Sequence, residues 1–235
     1  MPPLRRHTAD WPICYESAIA LKFAARQPRS RSAPGTVPPA ALAAEIAAAG
    51  SIEGWQIQAR PSGILRFQAS EPTIAATLQR WLTVRPGCTA ELPPMQSFST
   101  DQLFQVQYVH ARCWMLLRSA AREGWFEQFD LPPDLPWLTS TGKLRLQHTT
   151  ERQAIGLLFD AVDALALERT GDRLWKQAVS LSHQLDAFQS ACRVWGEVKT
   201  QDLPLAQARL GLTWAGQAVL QVLLNRLGLD APRFL

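Results

Sequence analysis

The stretch Leu103–Ala121, reading Leu-Phe-Gln-Val-Gln-Tyr-Val-His-Ala-Arg-Cys-Trp-Met-Leu-Leu-Arg-Ser-Ala-Ala, constrains this chain more than any other. At roughly 100° per residue, Leu103, Val106, Val109, His110, Cys113, Leu117 and Ala120 share one face, the spacing of an amphipathic α-helix. A helix of this kind draws most of its stability from packing its apolar stripe, so the rest of the chain must supply a core for it. Asp101 is placed to cap it. The opposite face carries Tyr108, Arg112, Met115, Ser119 and Arg122, with Gln105 at its margin. A flat aromatic ring, two guanidiniums and a polar rim therefore point away from the core together.

The chain beyond this helix reads as more helix. Leu131-Pro132-Pro133-Asp134-Leu135-Pro136 is an extended break. Thr150 with Gln153 forms a capping box for a helix to Leu167, with Ile155, Leu158, Phe159, Val162 and Leu165 inward. Gly171 separates it from a helix over Asp172–Trp195, with Trp175, Val179, Leu185, Phe188 and Cys192 at core spacing, and Asp202 with Pro204 starts a last one that Gly228 stops after Leu227. Several long helices with polar connections predict a bundle over residues 103–235.

The chain before Leu103 has a different period. Trp11–Ala25 reads as a helix, and Arg29–Pro39, rich in Pro, Ser and Arg, as a basic loop. Pro38 and Pro39 open an Ala-rich helix through Ala49, stopped by Gly50. Trp55–Ala59 and Ile64–Ala69 alternate about Arg60-Pro61-Ser62-Gly63 as two strands and a tight turn, and Ser70 caps a helix over Pro72–Leu82. The expectation is a small α+β domain over 1–82, a linker over 83–102 and the all-α bundle.

Several function classes are excluded by what the chain carries. With 47% hydrophobic and 19% charged residues it is globular rather than disordered. Cys14, Cys88, Cys113 and Cys192 lack Cys-x-x-Cys spacing, so reduced buried thiols are expected rather than zinc or disulfides. The four histidines are scattered, and His110, toward the apolar face, reads as a hydrogen-bonded core residue rather than a base. Phosphate-binding loops, nucleophile elbows and zinc-binding helix motifs do not occur. No run approaches a membrane-spanning length, and a soluble, cytoplasmic chain, monomeric when alone, is expected. The net charge of +4 is concentrated in residues 1–82, with nine Lys/Arg against five Asp/Glu; residues 103–235 carry fourteen against thirteen. That balance permits a polyanionic partner.

Val106-Gln107-Tyr108-Val109-His110-Ala111-Arg112 resembles the signature that opens the anticodon-binding domain of arginine-tRNA ligases, the DALR-type helical domain, usually written Val-Gln-Tyr-Ala-His-Ala-Arg. Cys192-Arg193-Val194, Ala208-Arg209-Leu210-Gly211-Leu212, Gln217–Asn225 and Leu227-Gly228-Leu229-Asp230-Ala231-Pro232 are similar to that domain's later helices and tail. Tyr15–Leu21 and Gly63-Ile64-Leu65-Arg66-Phe67 resemble the ligases' N-terminal extra domain, which implies a contact with the elbow of a tRNA. The ligases' catalytic domain stands between these two parts, and its His-x-Gly-His and lysine-loop patterns do not occur in this chain.

The resemblance implies an anticodon loop held by tyrosines on the first helix, by a tyrosine on the middle helix and by the last residues. Tyr108 and Arg112 match the family's pattern. Gln105 stands where it has a partner tyrosine, Asp186 where it has an asparagine and Gln189 where it has the stacking tyrosine, and the tail ends Arg233-Phe234-Leu235 instead of Glu-Arg-Met. The candidate RNA-binding residues are thus Tyr108, Arg112, Gln105, Gln189, Arg122 and Leu235, with no catalytic residue, metal or cofactor. Two functions are expected on this basis: a non-catalytic tRNA-binding adaptor, with arginine tRNA the implied partner, or a protein-interaction module that reuses the fold with tRNA binding lost.

Overall fold

The computed structural model describes residues 4–7, 13–26, 37–83, 99–126, 132–167 and 171–234. The chain divides into two compact units, Met1–Ile74 and Ala75–Leu235.

In the first unit, strands β1 (Leu4–His7), β2 (Cys14–Ser17), β3 (Trp55–Ala59) and β4 (Leu65–Ala69) form one antiparallel sheet in the order β1-β2-β4-β3. Helices α1 (Ile19–Arg26) and α2 (Pro39–Ala49) supply Ala20, Ala43 and Ile46 to a core with Leu65, Ile57 and Phe67 of the sheet. The β3–β4 hairpin closes where Arg60 N donates to Ile64 O at 2.8 Å and Gly63 N to Arg60 O at 2.9 Å. Gly63 has φ +79°, and a Cβ there would lie 2.7 Å from Pro39 Cβ, so a residue without a side chain lets this turn abut the start of α2.

The helix expected over Trp11–Ala25 is corrected: Cys14–Ser17 is a strand, paired on one side to β1 and on the other to β4, and only Ile19–Arg26 is helical. A stretch of four residues is too short to show a period, and here the strand partners decide it, among them Phe67, opposite Tyr15 and about fifty residues away. Most of the basic loop expected over Arg29–Pro39, and of the linker after Thr83, lies outside the described residues.

The division between the units falls within α3 (Glu71–Trp81), which Ser70 caps: its hydroxyl accepts from Thr73 N at 3.3 Å. The C-terminal half of α3 belongs to the second unit. Gln79 Oε1 accepts from Trp137 Nε1 at 2.7 Å, and Trp81 meets Phe159 edge to face with centroids 4.8 Å apart.

The second unit is a bundle of α4 (Thr100–Arg122), α5 (Thr149–Ala166), α6 (Gly171–Ala191), α7 (Glu197–Gln201) and α8 (Leu203–Arg226). Helix α8 contacts the other four and is buried almost all round from Ala206 to Leu224, as a helix without a polar face must be. Asp202 Oδ1 accepts from Leu205 N at 3.0 Å to start it. Neighbours come close to α8 at Gly211 and Gly216: a Cβ at Gly211 would stand 2.5 Å from Leu135 Cδ1 and Trp137 Cη2, and one at Gly216 would stand 2.6 Å from Leu185.

Three expectations are corrected in the bundle. Helix α4 begins at Thr100, with Ser99 at the cap, so Asp101 lies in the first turn, where a carboxylate favours the helix dipole, and does not cap. Helix α5 is capped by His148 with Glu151, not by Thr150 with Gln153: His148 Nδ1 accepts from Thr150 N at 3.3 Å and Glu151 Oε2 from His148 N at 2.8 Å. Thr150 Oγ1 lies 2.8 Å from His148 Nδ1 and 3.4 Å from Cys192 Sγ, and Gln153 Oε1 accepts across the bundle from Gln184 Nε2 at 3.3 Å. Helix α6 stops at Ala191 instead of Trp195, and the Arg193 carbonyl accepts from Arg209 Nη1 of α8 at 2.9 Å instead of from a further turn. Arg209 Nε also donates to Glu151 Oε1 at 2.7 Å, an ion pair whose carboxylate is buried.

Candidate nucleic-acid interface

Helix α4 buries Val106, Val109, His110, Ala111, Cys113, Leu117 and Ala120 against the bundle. Its other face is left to solvent with large side chains on it: Phe104 is 58% exposed, Tyr108 41% and Met115 55%. Phe104 and Tyr108, one turn apart, stack at 6.2 Å between centroids with 19° between planes. The pair presents a flat aromatic platform near the start of the helix. Sequence reasoning missed Phe104, although its spacing of four from Tyr108 was a usable signal.

The next turn carries Arg112, whose Nη1 donates to Asp186 Oδ1 of α6 at 2.6 Å. One turn further along α6, Gln189 Nε2 donates to Cys113 Sγ at 3.0 Å, while Gln189 Oε1 is buried and without a hydrogen-bond partner. Burial pushes the Cys113 thiol up to about 12, only partly offset by the Gln189 hydrogen bond, so it stays protonated and unreactive. Gln105, half-buried, lies two turns before Arg112 on the same edge of α4. Arg112 and Gln189 thus meet at the α4–α6 seam, while Tyr108 and Gln105 lie one and two turns before Arg112 on α4. Arg122 does not join them: at 1.5 Å per residue it is about 21 Å further along the helix than Tyr108, exposed in the last turn.

On the other flank of α4 the chain's own tail lies down. After Gly228, whose φ of +70° turns the backbone out of α8, Gln107 Nε2 donates to Asp230 O at 3.0 Å and His110 Nδ1 to Pro232 O at 2.8 Å. The guanidinium of Arg233 stands 4.4 Å from the Trp114 ring centroid, and that of Arg118 5.4 Å from Phe234. His110 is buried and takes a second bond at Nε2 from Gln217 Nε2 at 2.8 Å. Burial holds its pKa below the ordinary histidine value, the Pro232 bond opposing and Arg233 adding to the shift, so the ring is neutral, with one nitrogen donating and the other accepting. The platform is therefore bounded on one side by the α4–α6 seam and on the other by the tail. Leu235 lies outside the described residues.

Residues 106–235, more than half of the chain, match the DALR anticodon binding domain family. The chain belongs to that family. The match opens two residues before Tyr108 and takes in the rest of the bundle and the tail, so most of this interface is part of the DALR domain. Relatives named arginine--tRNA ligase occur in Synechococcus sp. (strain JA-3-3Ab), 34% identical over 146 residues, which is 60% of this chain and 23% of the relative. Those of Gloeobacter violaceus, 35% identical over 140 residues (57% of this chain, 22% of the relative), and Symbiobacterium thermophilum, 32% over 158 residues (66% and 26%), are comparable. The chain spans about a quarter of the length of the curated relatives it matches. No solved structure matches it. Among the described residues, no group of three His, Cys, Asp or Glu side chains is arranged to hold a metal ion, and no helix is long and apolar enough to cross a membrane.

Proposed function

We propose that this chain is a non-catalytic tRNA-binding adaptor that receives the anticodon loop on the outer face of α4. The observation that carries this reading is the exposed Phe104–Tyr108 stack beside Arg112, next to and within the segment that matches an anticodon-binding family. Unpaired bases of an RNA loop stack on aromatic and guanidinium planes, each contributing roughly 1–3 kcal/mol, and backbone phosphates take up Lys and Arg. Phe104 and Tyr108 provide the planes. Arg112, Arg118 and Arg122 provide cationic groups along the same helix, and the relatives' shared name, arginine--tRNA ligase, suggests an arginine tRNA as the ligand. Catalysis has no support in the residues of this face: the one thiol at the seam is held protonated, and His110 is committed at both nitrogens.

The test is a mobility shift of end-labelled total tRNA at low salt with the folded full chain in excess. Retardation that weakens steeply with salt and is reduced in Tyr108→Ala and Phe104→Ala is expected. Unchanged migration of tRNA would sink the proposal. A second reading, a protein-interaction module, is favoured by the half-buried Trp125 and Trp195, tilted together with centroids 5.8 Å apart, and by the near-neutral charge of the bundle. Purification of the tagged chain with one stoichiometric protein and no RNA would select it.

A further inference from the structure

Arg112 is the cation closest in sequence to the aromatic platform, and the fold has already given it an anion. Its Nη1 lies 2.6 Å from Asp186 Oδ1, and the two side chains are 35% and 39% exposed, so the pair is open to water. An ion pair this exposed contributes little to folding. Its effect is on what Arg112 can do next. A phosphate arriving at the platform meets a guanidinium whose charge is offset and whose Nη1 is occupied, beside a carboxylate that repels it.

We infer that Asp186 gates the RNA-binding face: by holding Arg112 in a carboxylate pair it subtracts one phosphate contact and sets the affinity and salt dependence of RNA binding. This inference rests on the tRNA-binding reading of the same face. Its position fits the role. Asp186 projects from α6 at the seam, one turn from Gln189, where it reaches Arg112 without entering the core, and the bundle's near-balance of charges leaves no large excess of cations to swamp a single carboxylate. RNA that is to use Arg112 must first exchange a protein carboxylate for a phosphate, which weakens binding of any polyanion whatever its sequence.

The test compares the wild-type full chain with Asp186→Asn and Asp186→Ser by titration into end-labelled total tRNA over a salt series, with thermal melts of each protein. Both substitutions are expected to leave the melting temperature nearly unchanged and to tighten binding about two- to fivefold at low salt. The slope of log K against log salt should steepen by roughly 0.7 to 0.9, the value of one added phosphate contact. Arg112→Ala should abolish that gain when combined with Asp186→Asn, and Asp186→Glu should behave as wild type. If wild type binds tRNA but both substitutions leave binding the same or weaker, the gate is overturned while the tRNA-binding reading stands. If wild type and variants alike fail to retard tRNA at low salt, that reading fails and the gate falls with it.

Discussion

Helices α4 and α8 are nearly equal in length, 23 and 24 residues, and lie against each other in one bundle, yet they are built to opposite rules. Helix α8 is buried almost all round, and its neighbours press on it at two glycines. Helix α4 buries one face and leaves Phe104, Tyr108 and Met115 on the other, where no part of the described bundle covers them. Large apolar side chains grouped on an exposed helix face cost solubility and, beyond the small gain of a stacked pair one turn apart, contribute little to the fold. The contrast separates a helix that holds the domain together from one that presents a surface, and it can be attacked from both ends.

The largest expected effect is at the support of α8. Glu151→Gln leaves Arg209 without its buried carboxylate partner and should lower unfolding free energy by about 3–5 kcal/mol in a denaturant titration. Gly211→Ala drives a methyl into Leu135 and the rigid Trp137 ring and should cost about 1–3 kcal/mol by the same measurement. Gly216→Ala, which meets only the end of the Leu185 side chain, should cost less. An equal cost at both would mean that side-chain flexibility does not decide how α8 is packed.

Tyr108→Ala, on the open face of α4, should do the reverse. Its effect on stability is expected within about 0.5 kcal/mol, while tRNA binding should weaken by about 1–3 kcal/mol. A destabilisation as large as that at Gly211 would show that the aromatic pair is structural.

The smallest effect is at His110, where the two helices meet the tail. Its pKa is lowered in the folded state, so as pH falls the unfolded chain takes the proton first. The stability due to the neutral ring is complete above the unfolded value, about 6.5, and is lost as pH drops from there through the folded value. In His110→Gln that part of the acid loss should disappear from stability measured against pH, although the variant starts from a lower level.

Much of the fold was legible beforehand where one local period dominated. The strands about Gly63, the helix opened by Pro39, the burial of Val106, Val109, Cys113 and Leu117, and the start of α8 at Asp202 all come from spacing and turn chemistry within a few residues. Cys14–Ser17 was not legible because four residues, Cys-Tyr-Glu-Ser, are too few to show a period of their own, and the stretch takes the form its partners offer. The cap of α5 was misplaced for a related reason: Thr150 is a better local cap than His148, but Glu151 is fixed by Arg209, fifty-eight residues away.

For the interface, the sequence by itself determined which face of α4 would be apolar and which would carry Tyr108 and Arg112, because helical periodicity assigns faces before any partner exists. Only the tertiary structure decided that Arg112 would be held by Asp186, that Gln189 would turn to Cys113, and that the tail would lie along Gln107, His110 and Trp114. Each of these contacts joins residues more than seventy positions apart. Their geometry depends on how helices pack, which the order of residues along one helix does not encode.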